Sequence, residues 1–225
     1  VTADTIAGEK LSNSFINSVF IDSASDRWIG TGKGITLNSS TSWQKEMFKK
    51  NLTGSITSLV FENIAVNSIA SYEGSYFFAT NGMEVWRTFN WNEDVNAFSG
   101  ATQWISPYNG TALTDTMYVV FIDSKGRQWF GGREGVQMHI GNDPKMDNTA
   151  WYDELVNPFV HCIAEAPDGN IYIGTENGVS VYDGMNWAEI TDALPDPFVT
   201  SIAVNKSGKV VIGTKKGMVS LNLMQ

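Results

Sequence analysis

The chain has 225 residues, 42% hydrophobic and 12% aromatic, with a net charge of −9, enough apolar material to bury a full core as one domain. With no basic stretch longer than Lys49–Lys50 or Lys215–Lys216, it offers little to a nucleic-acid backbone. No apolar run approaches the roughly 18 residues of a membrane span, the lone Cys162 excludes an internal disulfide, and a start at Val1 without Met suggests a cleaved or trimmed chain.

In chain order, one phrase recurs five times: "IDSASDRWIGTGKGITL" (21–37), a weaker "SYEGSYFFATNGMEVW" (71–86), "IDSKGRQWFGGREGVQM" (122–138), "APDGNIYIGTENGVSVY" (166–182) and "NKSGKVVIGTKKGMVSL" (205–221). Its anchor falls at Gly30, Ala79, Gly131, Gly174 and Gly213, in steps of 49, 52, 43 and 39 residues, the length of a four-stranded propeller blade. Each copy parses into alternating apolar strands separated by polar or glycine turns, with no helical period. In the last copy strand A is "FVTSIAVN", strand B "KVVIGT" and strand C "GMVSLN"; strand D is marked elsewhere by Trp43 and Trp187. The expectation is an all-β, five-bladed β-propeller of four-stranded antiparallel blades, one domain over residues 1–225. The fifth copy stops before its own strand D, so residues of about Ala3 to Gly8, which fall in strand D register, are expected to complete that blade and close the ring.

Two columns of the repeat concern packing. Ser18, Ser68, Val119, Cys162 and Ser201 are small, as a crowded innermost strand requires, and Trp28, Phe77, Trp129, Tyr172 and Val211 are bulkier, as expected of a core farther out.

The pattern D-x-x-G-x-(aromatic)-I-G-T-x-x-G-(aliphatic), with an apolar strand before and a Trp-marked strand after, resembles the two-component regulator propeller repeat. The resemblance covers nearly the whole chain and differs from WD40 and kelch units. It implies a periplasmic or secreted sensor propeller like those of hybrid two-component systems of gut Bacteroidetes, many of which respond to polysaccharide fragments. Those regulators usually carry more repeats, an immunoglobulin-like domain, a membrane helix and kinase modules. Their absence from this sequence leaves a free-standing propeller or an excised piece, and strand complementarity between the termini favours the former.

In such a ring the D-to-A and B-to-C loops converge around the channel mouth, a natural ligand site. Two residues before the main apolar position of strand A stand Asn17, Asn67, Tyr118, His161 and Thr200, every one able to hydrogen-bond; the B-to-C turns add Lys33, Arg133, Glu134 and Glu176. The same polar side chains would also serve simply to satisfy converging strand ends. The long connection 104–116 brings Trp104, Tyr108 and Asn109, of which Tyr108 suits stacking on a sugar. No nucleophile, metal-protease or phosphate-loop motif occurs, and the acidic residues around the mouth reduce to Glu134, Glu176 and Asp196. "GNDPKMDN" lacks the alternating Asp spacing of a calcium loop. The reading is a non-catalytic recognition propeller without metal or cofactor, binding a small polar, glycan-derived ligand, with a protein partner in a signalling system. A protein-interaction scaffold is the alternative, and a glycoside hydrolase the third.

Overall fold

The computed structural model describes residues 11–38, 43–44, 63–82, 85–92, 97–103, 116–141, 149–151 and 154–222, with 43–44, 89–92, 97–103 and 149–151 as backbone alone. Two compact units emerge, residues 1–105 with 112–117 and residues 106–111 with 118–225. Every regular element among the described residues is a β-strand, so none of them forms a helix long and apolar enough to cross a membrane.

In the first unit, β1 (Ile16–Ile21), β2 (Arg27–Thr31), β3 (Gly34–Asn38) and β4 (Trp43–Gln44) form one antiparallel sheet in chain order. A second is made by β5 (Val66–Tyr72), β6 (Ser75–Thr80), β7 (Val85–Asn92) and β8 (Ala97–Gln103). Within "NWNEDVNAFSG", Trp91 pairs with Phe98 and Asn92 with Ala97, which extends the β7–β8 ladder. The second unit carries β9 (Met117–Ile122, whose Met117 groups with the first unit), β10 (Gln128–Gly132), β11 (Gly135–His139) and β12 (Thr149–Trp151). Next come β13 (Val160–Glu165), β14 (Ile171–Thr175), β15 (Gly178–Tyr182) and β16 (Trp187–Ile190), and then a three-stranded sheet of β17 (Val199–Val204), β18 (Lys209–Thr214) and β19 (Gly217–Asn222). The ring-closing strand expected near Ala3–Gly8 lies outside the described residues, as do Trp104, Tyr108 and Asn109.

The motif's letters have separate physical jobs. In "GTxxG" the threonine hydroxyl spans the hairpin: Thr31, Thr175 and Thr214 Oγ1 donate to the carbonyls of Gly34, Gly178 and Gly217 at 2.9, 2.8 and 2.9 Å. The same oxygens accept the N–H of Lys33, Asn177 and Lys216. The closing glycine has positive φ, 116° at Gly178, which an L side chain resists. Its N–H donates across to the loop before the next sheet, Gly178 to the carbonyl of Pro197 and Gly135 to that of Pro158, both at 2.8 Å.

At the A-to-B turn, Asp22 and Asp123 each use Oδ1 to accept two backbone N–H groups and Oδ2 to accept an indole N–H, from Trp28 and Trp129, at 2.8 Å. Tyr76 also donates its hydroxyl to Asp22 Oδ2 at 2.7 Å; its burial first, and the Asp22 hydrogen bond second, push that phenol well above its ordinary range.

The anchor glycine explains the small-residue column. Gly30, Gly174 and Gly213 pair directly with Ser18, Cys162 and Ser201, and a Cβ at Gly174 would overlap Cys162 Sγ and Val199 Cγ1. The missing side chain lets the inner strand of the next sheet approach. Cores then form between successive sheets within each unit: Trp28, Leu37, Val66 and Phe78 in the first, Trp129, Val136, Ile163 and Ile173 in the second.

Burial pushes the Cys162 thiol up to about 12. We expect it to resist iodoacetamide at pH 8 in the folded protein and to react in about 6 M guanidinium, because the thiolate is the nucleophile. The thiol's ordinary value is 9.0. Above that pH the unfolded chain loses a proton the folded chain keeps, so its contribution to stability falls as pH rises from about 9 towards 12. Fast native alkylation would contradict the packing of Cys162 against Gly174.

Candidate functional site

The candidate column on strand A owes its geometry to a repeated irregularity. In β1, β5, β13 and β17 the pairing skips one residue, between Ile16 and Ser18, Val66 and Ser68, Val160 and Cys162, and Val199 and Ser201. The skipped residues are Asn17, Asn67, His161 and Thr200. A β-bulge leaves its extra residue outside the ladder and re-aims its side chain, which is how a polar group is carried at the start of these four inner strands. Ahead of three bulges lies a second repeated device, in which Asn13, Asn157 and Asp196 accept the N–H of Phe15, Phe159 and Phe198 at 2.8, 2.9 and 3.0 Å.

In the second unit these devices bring side chains from three sheets together. The His161 ring lies between Tyr118 and Phe198, centroids 4.8 and 4.7 Å away and planes inclined by 30° and 32°. Its Nε2 is 3.1 Å from Glu176 Oε1, with side-chain exposures of 19% for His161 and 38% for Glu176. Lys215 places its ammonium 3.4 Å from the Phe198 centroid, a cation–π contact. Arg133 sits over Phe159 at 5.9 Å.

Lys216 Nζ lies 3.0 Å from Asp196 Oδ2, and that contact first, then the Phe198 N–H, hold the Asp196 carboxyl below its usual range. Asp196 therefore stays ionised as the clasp of the loop that carries Phe198. Thr200 and Glu134 are exposed.

In the first unit Asn17 Nδ2 reaches Asn67 Oδ1 at 3.4 Å, and Asn67 Nδ2 donates to the Met117 carbonyl at 2.8 Å. Lys33 is exposed on its turn. Tyr108 lies outside the described residues.

Sequence reasoning missed Phe198. Its signal was present, because Asn13-Ser14-Phe15, Asn157-Pro158-Phe159 and Asp196-Pro197-Phe198 share one pattern.

Chemically the arrangement offers hydrogen bonds and fixed charges. Both faces of His161 are covered, so recognition falls to ring edges, the Tyr118 hydroxyl, the Glu176 carboxylate and the Lys215 ammonium. Among the described residues no three His, Cys, Asp or Glu side chains gather as a metal site.

No curated protein sequence matches the chain. Among solved structures it is similar to the extracellular domain of a hybrid two component system from B. thetaiotaomicron, at 22% identity and a TM-score of 0.69 over 92% of this chain and 27% of that one. It is also similar to PorZ, a surface component of the type-IX secretion system of Porphyromonas gingivalis, at 16% identity and a TM-score of 0.65 over 97% and 34%. An ancestral GH74 enzyme aligns at 17% identity and a TM-score of 0.64 over 93% and 31%. The chain thus spans about a third or less of the length of these three structures, and at such identities the likeness is one of fold. Residues 154–177, which hold the His161–Glu176 pair, match the model of the two component regulator propeller. By that match, residues 154–177 are identified as one two component regulator propeller repeat.

Proposed function

We propose that the protein is a non-catalytic, extracytoplasmic recognition propeller of sensor type, binding a small polar, glycan-derived ligand where β13 begins. Its five sheets are read as blades of one five-bladed ring spanning residues 1–225. The observation that carries the proposal is the Tyr118–His161–Phe198 stack, with Glu176 hydrogen-bonded to the imidazole and Lys215 capping the far ring. Such rigid side chains lose little entropy when a ligand arrives. A hydroxyl and carboxylate ligand, such as a uronic acid, matches the mixed charges of Glu176, Lys215 and Arg133. Similarity to the extracellular domain of a two component system supports the sensor setting.

The test is a thermal-shift screen against oligosaccharides and uronic acids. A ligand at 100 times its Kd adds about 2.7 kcal/mol, or roughly 5–10 °C in Tm for a chain of this size. The shift should vanish in His161→Ala and shrink in Arg133→Ala. A flat panel, or a shift untouched by both substitutions, sinks the reading.

A further inference from the structure

At the opposite end of β13 from His161 stands Glu165, where three equivalent turns of the second unit meet. Asp123–Arg127, Ala166–Asn170 and Asn205–Lys209 are closed alike: the first N–H donates to the fifth carbonyl, and the fourth N–H to the first carbonyl. This equivalence aligns Ile122, Glu165 and Val204 just before the turns, and Ser124, Pro167 and Lys206 at their second positions. Between the first and second turns the space is bridged, since Ser124 donates its N–H to Glu165 Oε2 at 2.7 Å and its hydroxyl to Oε1 at 2.6 Å. Between the second and third the bridge cannot be repeated. Pro167 has neither N–H nor hydroxyl, and Val204 has no acceptor on its side chain.

What remains is a cleft of about 280 Å³ whose lining includes Glu165, Pro167, Val204, Asn205 and Lys206. We propose that it is a second binding site, for a small zwitterion of free amino-acid type. Each Glu165 oxygen, oriented by one donor from Ser124, keeps a lone pair for an incoming ammonium. Lys206, exposed on the next turn, receives the carboxylate. Ala166, Pro167 and Val204 supply the apolar floor for a short aliphatic side chain. The volume suits one amino acid, and the cleft lies at the opposite end of β13 from His161, so this site survives or fails independently of the one there.

The test is an NMR titration of the ¹⁵N-labelled chain with L-leucine, N-acetyl-L-leucine and L-leucinamide. Leucine should shift the amides of Ser124, Glu165 and Lys206 saturably, at about millimolar Kd, the range for so small a contact set. N-acetyl-leucine, which lacks the ammonium, and leucinamide, which lacks the carboxylate, should bind at least about tenfold more weakly, as one charge-assisted hydrogen bond implies. Glu165→Gln keeps an acceptor for Ser124 and should weaken leucine by about tenfold; Lys206→Met, at an exposed position, gives a second reading if the first variant misfolds. No saturable shift by about 50 mM leucine, a concentration far above a millimolar Kd, would overturn the proposal. So would analogues that bind equally well, or affinity unchanged in both variants.

Discussion

Alanine in place of Trp129 is expected to lower the free energy of unfolding by about 3–5 kcal/mol, the range for emptying a buried tryptophan site. The indole is 0% exposed and packs in the core with Val136, Met138, Leu155, Val160, Ile163, Ile171 and Ile173. Its loss would also take from Asp123, itself 5% exposed, the indole N–H at 2.8 Å. Arg127 would still pair with Asp123, so the carboxylate would keep a cation, and the cavity would dominate the cost. Trp129→Phe separates the two effects. It keeps most of the ring and removes the donor, and should cost about 1–3 kcal/mol. Urea unfolding followed by far-UV circular dichroism is the measurement. A loss below about 1 kcal/mol for the alanine variant would mean that Trp129 does not fill a tightly packed core.

The second large effect is expected at an anchor glycine. Gly174→Val places a branched side chain where even one methyl would overlap Cys162 Sγ and Val199 Cγ1. One of these neighbours lies on the paired strand and the other on the next sheet, so relief on one side tightens the other. Overpacking costs about 1–3 kcal/mol where a core can give; caught between two strands, this variant should lose at least about 3 kcal/mol or fail to fold. Gly169→Ala is the control. Its turn position has φ of +88° with nothing within 4 Å of an added Cβ, so only the backbone penalty of about 1–2 kcal/mol applies. Equal Tm losses in the two variants would remove the close-approach role assigned to Gly174.

Strands B and C of the last copy were read from the string to the residue, as Lys209–Thr214 and Gly217–Asn222. Their limits are set by local chemistry: a threonine that caps a two-residue turn and a glycine that alone accepts its backbone angle. The polar column was legible as a column, but its placement on bulges was not. Nothing in "FVHCI" or "FVTSI" announces that the ladder skips His161 and Thr200. The extent of the β7–β8 pairing was not legible for a similar reason, since it depends on a partner strand and not on its own composition. Phe198 was overlooked because it meets His161 across 37 residues of chain.

By itself, then, the sequence determined an all-β chain of five repeated strand groups, the turns that punctuate them, and which residues are small or aromatic at each level. Those properties are encoded within windows of five or six residues. Tertiary structure alone decided that Tyr118, His161 and Phe198 stack, that Glu176 pairs with His161, and that a cleft opens beside Glu165 where Pro167 and Val204 cannot repeat the Ser124 bridge. Each of these depends on the register within a sheet and the spacing to the next one, and those distances are set by how the whole inner faces pack.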